Sequence, residues 1–292
     1  MYLIIGTVPQ KDFPLVTGPA RLEKDRLIIH DQRIRINRGT PALLAAAIKT
    51  SETLGQPMPH VVLVGDTGIG NGSRKLYAWL EAHITELDPE VMTFHYLQPD
   101  VDWHNRIIFA VQEMKHPPVL IADAGFMYAA KLSGMAETYR LFTPDVGELA
   151  FLADEEAPHP FYTRGFILHE ERRVPELIHR AYAHHNAAEY LLVKGAKDYV
   201  VRQNTILKTI DGPNAEAMEA MGGTGDTLTG IVTALVANSV HRSDMNISKA
   251  CETAARINRF AGFHADPTPA SQVMEIVAKI PKALESVLNM SV

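Results

Sequence analysis

Residues 222–226 read Gly-Gly-Thr-Gly-Asp and run directly into Leu228, Ile231, Val232, Leu235 and Val236. That spacing of apolar residues predicts a helix over about 225–238 with one face packed on a sheet. A helix start leaves backbone N–H groups unpaired and partly positive, and glycines at 222, 223 and 225 let a ligand approach that backbone closely. Together these features suit phosphate. A simpler alternative makes Asp226 a helix cap behind a tight turn, yet a cap needs one polar residue, not a run of four small ones. Beside a phosphoryl group, the Asp226 carboxylate is placed to accept a proton from an attacking hydroxyl. An ATP- or ADP-linked reaction is the expectation.

Several elements are needed to hold such a loop. Short β-rich runs at 61–65, 91–96 and 119–123 alternate with helical patterns such as "WHNRIIFAVQEM", which implies βαβ units and a mostly parallel sheet. Three further strand candidates, 190–195, 198–203 and 205–210, form a small antiparallel portion, followed by helices at about 225–238, 246–263 and 270–288. "RLIIHDQRIRIN" (26–37) alternates apolar and charged residues like a half-buried strand pair, so residues 1–36 are read as an N-terminal β embellishment on one domain spanning 1–292. The Pro- and His-rich stretch 153–166 is read as a surface loop, and 169–185 as an amphipathic helix with its lead-in, Val174, Leu177, Ile178 and Ala181 facing inward.

Composition narrows the partners. A chain of 292 residues, 46% hydrophobic and 21% charged, has the profile of a soluble globular protein with a sizeable core. A formal net charge of -6 gives no basic footprint for nucleic acid. No run of about 18 apolar residues predicts a membrane span, and the start "MYLIIGTVPQKDF" lacks a basic leader, so a cytoplasmic location is expected. The single Cys251 excludes an internal disulfide and is expected in the core of a helix. Thirteen histidines include no HExxH pair, and no G-x-S-x-G elbow is present, which argues against zinc and serine hydrolase chemistry. "GDTGIGNGS" (65–73) follows a strand but has Lys75 where a dinucleotide fingerprint needs glycine, and Asn71 where a Walker A loop needs lysine.

"GGTGDTLTGIVTAL" resembles the C-terminal signature of the ribokinase-like superfamily, whose loop forms an anion hole and whose Asp is the catalytic base. "VLIADAGFMYAA" (119–130), "LFTPDVGELAFL" (141–152) and "LLVKGAKDYVV" (191–201) resemble other superfamily segments in the same order. The combination is most similar to the NAD(P)H-hydrate dehydratase family, related to the YjeF C-terminal region, which repairs hydrated nicotinamide cofactors with ATP or ADP. The resemblance implies a three-layer α/β/α sandwich with a mostly parallel central sheet. It implies Asp226 as base, Gly223, Thr224 and Gly225 as the anion hole, and Lys194, Gly195 and Ala196 at the nucleotide. Glu148 and Asp123 would lie near Mg²⁺ and the phosphates, and Gly68 and Gly70 would match the family's "G-P-G-L-G" turn against the substrate.

The departures cluster on the substrate side. Asp145 and Val146 stand where the family carries His and Pro, and Ile121 stands where the first Asp of "D-A-D" is expected. In place of a "GGS" turn before the first core helix, only Gly39 and Thr40 are present. An extra acid facing an anionic dinucleotide is unfavourable by charge, which points toward a different substrate. Three functions therefore stand: a dehydratase acting on a hydrated nicotinamide, a kinase acting on a small alcohol such as a sugar or vitamin precursor, and a non-catalytic nucleotide-binding protein. The expected partner is a small molecule with a reactive hydroxyl, without nucleic acid or membrane, and a homo-oligomer is compatible with the sequence.

Overall fold

The first strand, β1 (Tyr2–Val8), is buried along its whole length. It pairs in parallel with β6 (His60–Gly65) on one side and β7 (Val91–His95) on the other. Continuous burial without alternation is how a central strand of a parallel sheet reads, because helices cover both faces. The computed structural model, which describes residues 1–155, 171–240 and 246–290, builds a nine-stranded sheet around this pair. Beyond β7 come β8 (Val119–Ala122), β9 (Leu141–Phe142) and β10 (Tyr190–Val193), all parallel. The antiparallel strands β11 (Asp198–Arg202) and β12 (Thr205–Ile210) close one edge, and β2 (Val16–Pro19) closes the other. A separate antiparallel sheet holds β3 (Arg21–Glu23), β4 (Arg26–Ile29) and β5 (Gln32–Arg35). Of the N-terminal segment 1–36 read as an embellishment, only this three-stranded part stands outside the main sheet; β1 lies inside that sheet, third from its β2 edge.

Two apolar cores flank the main sheet. One is packed by α2 (Asn71–Leu87), α3 (Val101–Gln112), α4 (Gly125–Leu132), α5 (Val146–Ala153) and α6 (Val174–Ala183). In α6, Val174, Leu177, Ile178 and Ala181 are buried as their spacing predicts. The other core contains α1 (Thr40–Leu54), α8 (Thr224–Ser239), α9 (Ile247–Ala265), α10 (Val273–Val277) and α11 (Ile280–Asn289), and α8 follows a single-turn α7 (Ala217–Ala220). The result is the three-layer sandwich expected. The helix predicted over 270–288 is two helices, with a proline at the start of α11 where it costs no hydrogen bond. Cys251 is fully buried in α9.

α1 and α8 lie against one another so closely that a Cβ on Gly230 would sit 2.1 Å from the Leu43 carbonyl oxygen. Only glycine allows this approach. It brings the starts of both helices to the same end of the sheet. Of the stretch 153–166 read as a loop, residues 156–166 lie outside the described residues, as do His169 and Glu170. No helix among the described residues is long and apolar enough to cross a membrane.

Candidate active site

Four neighbouring parallel strands each end in a polar residue at the same edge. His95 ends β7, Asp123 follows β8, Thr143 follows β9 and Lys194 follows β10. In open α/β sheets the carboxyl ends of the strands are where ligands bind. The start of α8 faces this row, and together they enclose a pocket of about 180 Å³. Its walls include Asp226, Gly223, Thr224, Gly225, Lys194, Asp145, Glu148 and Asp123. Ligand pockets for whole drug-sized molecules begin at about 300 Å³, so this one fits a phosphoryl group and its acceptor atom, with the rest of a nucleotide lying outside it.

The α8 start is open. Gly223, with φ of 98°, is its cap residue, and no side chain caps the helix. Asp226 does not turn back onto its own N–H groups. Its Oδ2 instead accepts the Gly39 N–H at 2.5 Å, and its Oδ1 lies 3.2 Å from His95 Nε2. Burial opposes ionisation of Asp226, but His95, Lys194 and the Gly39 N–H outweigh it and hold the carboxyl below its ordinary range. The helix-cap alternative for Asp226 is thereby set aside by geometry.

Lys194 does not reach out to solvent. Its ammonium donates to Asp123 Oδ2 at 2.8 Å, and the Thr229 hydroxyl donates to the same oxygen at 2.6 Å while lying 3.1 Å from the Thr143 hydroxyl. Burial disfavours the Lys194 charge, yet Asp123 and Glu148 push its pKa up, so the ammonium persists next to the α8 start. Gly195 and Ala196 turn their carbonyls to Arg259, at 3.0 and 2.9 Å, and Arg259 also pairs with Asp198 at 2.7 Å. These two residues shape the turn behind Lys194 and are not in the pocket wall.

Asp145 and Glu148 form a reciprocal cap at the start of α5. Asp145 Oδ1 accepts the Glu148 N–H at 2.7 Å, and Glu148 Oε2 accepts the Asp145 N–H at 2.8 Å. Tyr128 donates its hydroxyl to Glu148 Oε1 at 2.7 Å. Burial, then the charges of Asp145 and Asp123, push the Glu148 carboxyl up to about 8. The departure at Asp145 is thus absorbed partly by local structure, since one of its oxygens is spent on the helix. Ile121, the other departure, is fully buried in the apolar core.

Gly39 and Thr40 reach the site through Asp226 and His95, with Gly39 donating to the acid and the Thr40 hydroxyl 3.0 Å from His95 Nδ1. Gly68 and Gly70 do not join it. Their N–H groups, with that of Ile69, donate to Asp66 Oδ1 at 3.0 to 3.1 Å, so the 66–70 loop is closed on its own acid and lies outside the pocket wall. Among the described residues no group of three metal-ligating side chains exists. Sequence reasoning missed His95, Tyr96, Ala124, Thr143 and Thr229. His95 falls within the run 91–96 read as a strand, and its place near the carboxyl end of that run was a usable signal. Ala124, with φ of 52°, is a non-glycine residue held in an uncommon conformation in the pocket wall, and nothing in its type announced that.

The fold matches that of ribokinase-like proteins. A ribokinase-like superfamily protein of Enterococcus faecalis superimposes with a TM-score of 0.58 at 15% identity, covering 98% of this chain and 87% of that one. Phosphofructokinase-2 of Escherichia coli, solved with fructose-6-phosphate, gives 0.54 at 16% identity over 97% and 99% of the two chains. Pyridoxal kinase of Staphylococcus aureus with AMP-PCP gives 0.52 at 13% identity over 88% and 87%. The carbohydrate-kinase family model described as NAD(P)H-hydrate dehydratase matches residues 98–281, and the chain belongs to that family. It is also 41% identical over 248 residues to an uncharacterized protein of Methanocaldococcus jannaschii, covering 85% of this chain and all of that one. Membership makes it a ribokinase-like enzyme.

Proposed function

We propose that the protein is an ATP- or ADP-dependent dehydratase acting on a hydrated nicotinamide, by phosphorylating the ring hydroxyl and eliminating phosphate. The observation that carries this is the uncapped α8 start next to an Asp226 whose carboxylate is held ionised and turned toward the strand ends. The N–H groups of the 223–226 turn and the Lys194 ammonium bind and orient the phosphoryl group. Asp226 accepts the proton of the acceptor hydroxyl as its oxygen bonds to phosphorus and the bond to the nucleotide's leaving oxygen breaks. Elimination then breaks the ring C–O bond to release phosphate, and the adjacent ring carbon gives up a proton to solvent as the C=C bond of the reduced ring forms.

The residues present suit Mg²⁺ held mainly by the nucleotide. That ion takes one or two protein carboxylates together with phosphates and waters, and the pocket offers Glu148 in a setting where neighbouring acids disfavour its charge until a cation compensates them. Bound there, it would neutralise phosphate charge. Asp123 is committed to Lys194 and Thr229 and serves the ammonium instead.

Asp145, in place of the family's His, favours a second reading, a kinase that retains its phosphorylated product on a small alcohol. One experiment separates the two. Hydrated NADH incubated with the protein and either ATP or ADP should regain reduced-nicotinamide absorbance. No recovery with either nucleotide, together with accumulation of a phosphorylated alcohol from a panel, overturns the dehydratase in favour of the kinase.

A further inference from the structure

His95 has an imidazole only 1% exposed and wedged between groups from three separate segments. Its Nδ1 lies 3.0 Å from the hydroxyl of fully buried Thr40. Its Nε2 lies 3.2 Å from Asp226 Oδ1 and 3.7 Å from Asp123 Oδ2, and neither contact is aligned as a hydrogen bond. A lone pair facing two carboxylates would be repelled by both, so electrostatics places an N–H on Nε2, with the Thr40 hydroxyl as the partner of Nδ1. Tyr96, which lines the pocket, packs on the ring in a T-shaped pair with centroids 4.4 Å apart. The contact is also built into the sheet. A Cβ on Gly6 of β1 would lie 2.6 Å from both the Thr40 hydroxyl and the His95 carbonyl oxygen, so a larger residue there would push α1 and β7 apart.

We propose that His95, oriented by Thr40, is a positioning residue that fixes the Asp226 carboxylate for proton transfer. This rests on Asp226 being the base. The Gly39 N–H holds Oδ2 and His95 Nε2 stands 3.2 Å from Oδ1, so the carboxylate is flanked on two sides. Each carboxylate oxygen has a second lone pair, which leaves one free toward the pocket for the incoming hydroxyl. The loose 3.2 Å approach is the kind that tightens when substrate is bound. His95 makes no contact with the reacting atoms in this scheme, and the phosphate cradle does not depend on it.

The test compares His95→Leu, which keeps bulk but removes the donor, with His95→Gln, whose amide can still reach Asp226. Crystal structures of both are the first readout. In His95→Leu the Asp226 carboxylate should leave its place against Gly39 by more than about 30° in a side-chain torsion, while in His95→Gln it should stay. Turnover is the second readout. His95→Leu should lower kcat by up to about 100-fold with the nucleotide KM little changed, and His95→Gln should recover most of it. A carboxylate that keeps its orientation in His95→Leu overturns the inference, as does an equal loss of kcat in both variants, or a rise in KM that matches the fall in kcat. If His95→Leu does not fold, Thr40→Val replaces it, with a loss of about 3- to 10-fold expected and an unchanged kcat counting against. A wild-type protein that consumes no hydroxyl acceptor defeats the proposed function, yet the carboxylate orientation still decides this point.

Discussion

Two helix starts in this molecule use the same ingredients in opposite ways. At α2, a glycine-rich turn ends in Gly70, and Asp66 fills the turn with its own carboxylate, accepting N–H groups from Gly68, Ile69, Gly70 and Ser73. At α8, a glycine-rich turn ends in Gly223, and Asp226 points away from it to Gly39 and His95. The first is a closed cradle that needs no ligand. The second keeps its donors open and its acid turned toward the strand ends, so the position of a carboxylate relative to the turn, before it or inside the helix, decides whether the turn is filled or left free for a ligand.

Substitutions at the two acids should break this comparison most sharply. Asp226→Asn should lower turnover by about 10²–10⁴-fold, while nucleotide affinity is held or rises, because a negative charge next to the phosphates has been removed; steady-state rates and calorimetry report the two effects. A variant that still turns over normally would reduce α8 to a binding turn. Gly223→Ala and Gly70→Ala both place a side chain at positive φ, 98° and 84°, and each should cost about 1–3 kcal/mol of stability by denaturant titration. Only the former should also weaken nucleotide binding.

Asp66→Asn should cost about 1–3 kcal/mol and leave nucleotide affinity alone. Burial raises the Asp66 pKa, but hydrogen bonds from Ser73 and the loop N–H groups win and depress it. A depressed folded-state pKa gives stability that is present above the unfolded value and lost as pH falls through the folded one. The acid limb of the wild-type stability curve should therefore flatten in Asp66→Asn. The smallest expected effect is at Glu148, with its pKa pushed up to about 8. Stability from the protonated form is full below the unfolded pKa and lost as pH rises through about 8. Glu148→Gln should remove that alkaline loss, measured by melting temperature between pH 5 and pH 9, and Mg²⁺ with nucleotide should diminish it in the wild type.

Much of this was readable from residue patterns. The strands at 61–65, 91–96 and 119–123 follow from short β-rich runs alternating with helical patterns, the antiparallel edge from three such runs in succession, and the helix behind Asp226 from its apolar spacing. β1 escaped because antiparallel strands follow it, not a helical pattern, so no βαβ alternation marks it as part of the parallel sheet. The α8 start was legible because four small residues before an acid have few other uses. His95 and Thr40 were not legible as a pair, since their contact depends on β1 and β7 lying side by side, a fact of pairing that neither residue's own neighbourhood encodes.

The family match begins at residue 98, after Gly39, Thr40 and His95. A fragment cut to the recognised span would keep Gly223, Gly225, Lys194 and Asp226 itself, but would lose Gly39 and His95 beside the acid and four strands of the main sheet, β1, β2, β6 and β7. The recognised span is therefore not a complete sheet, and by itself it lacks the Gly39 and His95 neighbours of Asp226.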